Sequence, residues 1–174
     1  MTYGFESQLE IGQKGEKLLD AFFSKDYAIK EVADLEMQKR GIDRYFRRRD
    51  CKIPAWFTVE YKTDFIAQNT NMVFIETAII CDGKRKPGWA LKLFSQALVY
   101  FIPGCETAYL ASSFNIKHML HHWCEYHTVK TTAENTRGNS KWVGEGLLVP
   151  VCEFKSSCCY SVYRIKAEDD DIPM

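Results

Sequence analysis

The stretch Trp56-Phe57-Thr58-Val59-Glu60-Tyr61-Lys62 decides how this chain is read. Aromatic and β-branched residues fill it, and a carboxylate and an ammonium group close it, the pattern of a core strand with a polar end. Side chains alternate along a strand, so Glu60 and Lys62 point to one face. A second acid, Asp43, lies shortly upstream in Gly41-Ile42-Asp43. The spacing fits a neighbouring antiparallel strand from Ile42 to Arg49, turning through Ile53-Pro54-Ala55. Two acids and a lysine at one sheet edge can hold a divalent cation and a water beside a phosphodiester.

An acid-x-lysine triplet alone carries little information. The chain has four, Asp50/Lys52, Glu60/Lys62, Asp82/Lys84 and Glu153/Lys155, where its composition gives roughly two by chance. Context separates Glu60/Lys62 from the others. It follows an apolar run, Asp43 precedes it at adjacent-strand distance, and the β-rich run from Met72 to Cys81 follows. Asp43 and Glu60 are therefore the candidate metal ligands, with the main-chain carbonyl of Tyr61 as a further donor. Lys62 is the candidate catalytic cation beside the water. Glu16 adds a carboxylate if its helix crosses the sheet edge.

That helix is predicted from Phe5 to Ser24, with Ser7 and Glu10 at capping-box spacing and Leu9, Leu18, Leu19, Phe22 and Phe23 as its apolar stripe. Gly12 and Gly15 weaken it in isolation and suit a close approach by a backbone or a ligand. A strand is expected from Tyr27 to Val32 and a turn at Asn69-Thr70-Asn71. The segment Ala90 to Tyr100 reads as a helix with Leu91, Phe94, Leu98 and Phe101 inward, ended by Pro103-Gly104. A strand over Thr107 to Ala111 and a helix capped by Ser113 and running to about Tyr126 follow. Val129 to Arg164 reads as short strands joined by a polar loop from Ala133 to Lys141. The expected fold is α/β, a central mixed sheet flanked by helices, in a single domain over 1–174. Its core spans about 5–131, with C-terminal strands in 142–164 and an acidic tail from 165.

With 174 residues and 46% hydrophobic content the chain can bury a sizeable core. Acidic and basic residues balance at 23 each, which argues against wholesale nucleic-acid binding and leaves room for a local basic patch. Lys39, Arg40, Arg44, Arg47, Arg48, Arg49 and Lys52 cluster. Arg47, Arg49 and Lys52 are the candidate nucleic-acid contacts, the arginines on a strand reaching a phosphate backbone beside Asp43. No signal peptide or membrane-spanning run is read. Seven scattered cysteines without C-x-x-C spacing suggest reduced thiols and a cytoplasmic protein.

Gly15-Glu16, Gly41-Ile42-Asp43 and Val59-Glu60-Tyr61-Lys62 together resemble the PD-(D/E)XK nuclease superfamily, with its restriction-endonuclease-like three-layer core. Lys62-Thr63-Asp64, Ala67, Thr70, Asn71, Phe74-Ile75-Glu76 and Lys86-Pro87-Gly88 resemble its small stand-alone phage and bacterial members. Ser95-Gln96-Ala97 and Tyr100-Phe101 are similar to their post-strand helix. The resemblance covers about Glu16 to Gly104. Ile42 stands where proline is common, and the Gly88-Trp89 loop lacks a serine found in close relatives. The resemblance implies Mg2+- or Mn2+-dependent hydrolysis of DNA, with Asp43 and Glu60 as ligands, Lys62 catalytic and Glu16 as the helix acid. Such domains often act as homodimers.

Glu76 and Gln96 are candidate site-lining residues, Gln96 through a Gln-x-x-x-Tyr pair with Tyr100 seen in nucleases related to recombination helicases. Trp89 is a candidate for stacking on a base, or a core residue. His118, His121, His122 and His127 cluster, and His118 and His122 have the spacing of zinc ligands on a helix face. Two rivals thus stand beside the hydrolase: a nuclease-like module that binds nucleic acid or protein without cutting, and a zinc-stabilised interaction domain.

Overall fold

A computed structural model of the chain describes residues 5–52, 55–132, 135–137 and 140–166, with backbone alone for 5–11, 135–137 and 140. Ile53 and Pro54 of the predicted turn and the side chains of the Ser7/Glu10 capping box lie outside the described residues. The chain begins α1 (Phe5–Phe23), β1 (Tyr27–Glu31), α2 (Leu35–Lys39), β2 (Arg44–Arg48) and β3 (Phe57–Thr63). It continues α3 (Ala67–Thr70), β4 (Met72–Cys81), β5 (Lys84–Pro87), α4 (Trp89–Lys92), β6 (Ala97–Ile102) and β7 (Thr107–Ser112). It closes with α5 (Ser113–Tyr126), β8 (Val129–Thr131), β9 (Asn135–Arg137), β10 (Ser140–Pro150), α6 (Val151–Cys158) and β11 (Cys159–Arg164).

The class is α/β: a mixed central sheet of order β1-β2-β3-β6-β7-β11 is flanked by helices. β1, β2 and β3 form an antiparallel meander, β6 lies parallel to β3, and β7 and β11 add antiparallel. Between β3 and β6 the chain leaves to build a second sheet, β5-β4-β10-β8, with β9 paired to β10. No helix among the described residues is long and apolar enough to cross a membrane.

Alternation along the strands divides the core in two. Val59, Tyr61, Ala97, Val99 and Phe101 meet Leu19 and Phe23 of α1 on one face. Leu98, Tyr100 and Ile102 face the other way, into Val73, Ile75, Leu147 and Val149 of the second sheet and Ile116 and Trp123 of α5. Gly15 lets α1 settle on the end of β3, since a Cβ there would lie 2.5 Å from Thr63 Oγ1; at Gly12 a Cβ meets nothing within 4 Å.

Five expectations need correction. Ala90 to Tyr100 is not a helix: α4 stops at Lys92, and Ala97–Ile102 is a strand with all six residues buried. A strand covered on both faces is continuously apolar, and such a run contains helical spacings by accident. Leu91 and Phe94, expected inward, are 53% and 62% exposed. Val151–Cys158, read among the strands, is a helix that follows Pro150 and buries Val151, Phe154 and Cys158, one stripe. Asn69 and Thr70 belong to the short helix α3, and the turn is confined to Asn71 at φ 54°. Ile165, assigned to the tail, is 1% exposed and donates its N–H to Glu106 O at 2.7 Å, so the core extends to it. The cap of α5 shifts by one residue, with Ser112 Oγ accepting from Asn115 N–H.

Candidate active site

β2 and β3 pair from Phe46↔Phe57 to Arg44↔Val59, and there the ladder ends. Asp43 N–H still donates to Val59 O at 2.9 Å. One step on, the Asp43 side chain takes the place of the missing strand: its Oδ2 accepts from Tyr61 N–H at 2.8 Å. N–H and C=O of one strand residue point to the same edge, so the Tyr61 carbonyl faces the opening where Asp43 stands. The structure therefore brings Asp43, Glu60, Lys62 and the Tyr61 carbonyl to one place.

Glu60 is nearly enclosed, its side chain 5% exposed, while that of Lys62 is 32% exposed. Glu60 Oε1 is ion-paired with Lys62 Nζ. Glu60 Oε2 is buried without a hydrogen-bond partner among the described residues. Gly41 arches over it. With φ at +72°, a Cβ on Gly41 would come within 3.5 Å of that oxygen and 3.4 Å of Leu93 Cα. The Gly41–Leu93 contact is thus a strap across Glu60, fastened by Phe94 N–H donating to Arg40 O at 2.9 Å.

Burial pushes the Glu60 carboxyl up to about 7; Lys62 lowers it, and the nearby Asp43 charge raises it further. A buried acid with an orphaned oxygen and a second carboxyl alongside carries more negative charge than its surroundings satisfy. Burial works against the charge on Lys62, but Glu60, Asp43 and Glu76 outweigh it and its pKa is raised. Lys62 is therefore an ammonium at neutral pH, suited to stabilising charge and orienting water rather than accepting a proton.

The face toward α1 holds a second network, which the sequence reading missed. Arg44 Nε donates to both oxygens of Asp20 at 3.1 Å, and Nη2 donates to Glu16 Oε2 at 2.9 Å. Nη1 donates to Asp43 O at 3.1 Å, and Tyr61 Oη donates to Asp20 Oδ1 at 3.0 Å. The Arg44 side chain is only 6% exposed. Burial works against its charge, yet Asp20 and Glu16 raise its pKa above the ordinary value. Glu16 sits near Asp43, and burial, then the Asp43 charge, raise its pKa. One of its oxygens is committed to Arg44, so it braces the site from the α1 side.

The other candidates fall in different places. Glu76 lies within the field of Lys62; burial raises its pKa, and Trp89 N–H donates to its Oε1 at 3.2 Å. Gln96 is exposed and its Oε1 accepts from Thr58 N–H at 3.0 Å, stitching the entry of β6 to β3. The Gln96/Tyr100 helix pair does not exist: Tyr100 Oη donates to Asp64 and accepts from Phe74 N–H inside the core. Arg44, not Arg47 or Arg49, lies beside Asp43. Arg47 and Arg49 belong to the other end of β2, and Arg49 Nε donates to Ser24 O at 3.1 Å. Lys52 is exposed beyond that end.

The histidines of α5 and its C-cap have separate partners: His118 stacks on Phe114, His122 packs on Tyr126, and His121 and the capping His127 meet Glu125 and Glu153. A cavity of about 490 Å³ lined by Cys152, Lys155 and Tyr160 lies on α6 and β11, across the sheet from Glu60. Comparison with protein-family models, with curated proteins and with solved structures finds no match to this chain.

Among the described residues no three His, Cys, Asp or Glu side chains converge to hold a metal. The side-chain donors here are two carboxylates. That set suits Mg2+, which is commonly held by one or two carboxylates and keeps several waters. The orphaned Glu60 oxygen and its neighbouring carboxyl fit such an ion.

Two outcomes follow. Between pH 4.5 and about 7 folded Glu60 keeps a proton that the unfolded chain has released. Stability therefore falls as pH rises through this window and levels off above it. In a chelating buffer, wild type should melt lower at about pH 8 than at about pH 5, by at most about 3 kcal/mol from this group. Glu60→Gln should flatten that slope; an unchanged slope would contradict the assignment. Arg44→Met leaves Asp20 and Glu16 facing each other uncompensated. Because both acids are about one-third exposed, a urea melt should record a loss on the order of 2 kcal/mol. No loss would remove Arg44 as the brace.

Proposed function

We propose that the protein is a metal-dependent nuclease hydrolysing phosphodiester bonds in DNA by a two-carboxylate-plus-lysine mechanism. The observation that carries the reading is the buried, unpartnered Glu60 Oε2 beside Asp43 and Lys62. The connectivity adds support. A mixed central sheet flanked by helices is compatible with the three-layer core that the PD-(D/E)XK resemblance implies.

In this reading Asp43, Glu60 and the Tyr61 carbonyl would hold Mg2+ or Mn2+. The bound ion supplies Lewis acidity toward a phosphoryl oxygen and lowers the pKa of a water. Lys62 presents its ammonium to the charge that accumulates on phosphorus-bound oxygens and helps align the nucleophile. Asp43 has a second task, holding the Tyr61 amide so that the carbonyl direction is fixed. Arg44 and Glu16 keep α1 and the β2–β3 junction in register beneath the site. Glu76, on the second sheet, adds to the negative field that keeps Lys62 charged. Pairing of two copies would allow both strands to be cut.

One observation favours the non-cutting rival: Glu60 lies beneath the Gly41–Leu93 strap with one oxygen already taken by Lys62. Purified protein incubated with plasmid, single-stranded and branched DNA separates the two. Cleavage should require Mg2+ or Mn2+ and stop with EDTA. Glu60→Ala, Asp43→Asn and Lys62→Ala should each lose on the order of 100-fold or more in rate. Folded variants cutting as fast as wild type would refute the assignment.

A further inference from the structure

The register across the first three strands reveals a surface that runs on from the hydrolytic centre. Lys30 pairs with Tyr45, and Tyr45 with Thr58, so these three lie in a row on one face. Alternation adds Arg47 from β2, and Trp56, Glu60 and Lys62 from the β3 segment, to that face. Their neighbours Tyr27, Ile29, Phe46 and Phe57 turn the other way and pack in the core under α1. None of Ala28, Lys30, Tyr45 or Arg47 belongs to either apolar core, and Lys30 is exposed.

On this open face Trp56 gathers two cations. Lys30 Nζ lies 4.6 Å and the Arg47 guanidinium 4.9 Å from its ring centroid. Across the strap a second group repeats the chemistry. Phe94 is 62% exposed beneath Lys117 Nζ at 4.9 Å, and Phe114 is 76% exposed and stacked with His118. Gln96 and Thr58 are bonded across β6 and β3, and the Phe94 N–H donates to Arg40 O in the strap, so the second group stands at the Glu60 end of this face. Trp56 lies about 13 Å along the strand direction from Glu60.

Aromatic rings with cations laid over them, two exposed and Trp56 half-buried, suit unpaired bases. A base stacks on a ring or on the outer plane of a guanidinium, and the cations meet the phosphates. A duplex keeps its base faces covered and gains only the charge contacts. We infer that this face binds a single-stranded nucleic-acid segment, stacked on Trp56 and Phe94 and held by Lys30, Arg47 and Lys117, that leads to the Glu60–Lys62 centre. The inference rests on the hydrolase reading for what happens at that centre, and not for binding.

The test is fluorescence anisotropy in EDTA, where no cutting occurs, with labelled oligothymidylate and oligouridylate of about 16 nucleotides and a blunt duplex of equal length. The single strands should bind more tightly than the duplex, and the two oligomers tell whether DNA or RNA is preferred. Trp56→Ala should weaken single-strand binding on the order of tenfold, and Phe94→Ala several-fold. Removing Lys30 and Arg47 together should reduce the salt slope by roughly 0.7 per cation. Phe94 is exposed, so its variant stays informative if Trp56→Ala does not fold. Equal or tighter duplex binding, or folded variants that bind the single strands like wild type, overturns the inference. A protein that cuts duplex and ignores single strands keeps the hydrolase and loses this surface. A protein that binds single strands through Trp56 and never cuts does the reverse.

Discussion

The arrangement depends on one hydrogen bond, from Tyr61 N–H to Asp43 Oδ2. Where two strands separate, amides lose their partners, and a buried unpaired N–H is costly. Here a carboxylate fills the gap. By doing so it stands at the mouth of the separation, beside Glu60 and on the edge toward which the Tyr61 carbonyl points. Removing that bond would free Asp43, leave an amide unpaired and dissolve the meeting of two carboxyls. The same substitution that satisfies the sheet thus builds the candidate site.

Electrostatics on the two faces of β3 are arranged differently. Toward α1, Arg44 is matched by Asp20 and Glu16, and Tyr61 completes the set; this side is satisfied and structural. Toward the second sheet, Lys62 faces Glu60, Asp43 and Glu76, and acid exceeds base. The imbalance appears as the high pKa of Glu60 and as its orphaned oxygen. A protein selected for stability alone would avoid such a group, because an apolar residue there would cost less. Local unfavourable electrostatics in an otherwise well-packed core make this a candidate functional site.

The centre was legible because strand alternation is strict. Glu60 and Lys62 had to share a face, and Asp43 preceded them at the distance of an adjacent antiparallel strand. Arg44 was not legible, since it is one of several basic residues in a row and only the α1 docking selects it. Gln96 was misplaced with the false helix. Leu91, Phe94, Leu98 and Phe101 have helical spacing, yet the run Ala97–Ile102 is apolar at every position because both faces are covered. Val151–Cys158 carried helical signals, with Pro150 before it and an apolar stripe. They were submerged in a stretch of strands. Trp56 is legible only as part of a strand, because its cations, Lys30 and Arg47, come from β1 and β2, which only the sheet register brings together.

Anomalous diffraction from crystals soaked in Mn2+ tests the central claim most directly. The account predicts one ion at the β2–β3 separation, bound by oxygens of Asp43 and Glu60 and by the Tyr61 carbonyl, with Lys62 alongside. An ion-free separation at saturating Mn2+, with Glu60 still paired to Lys62, or an ion seated elsewhere, would contradict it.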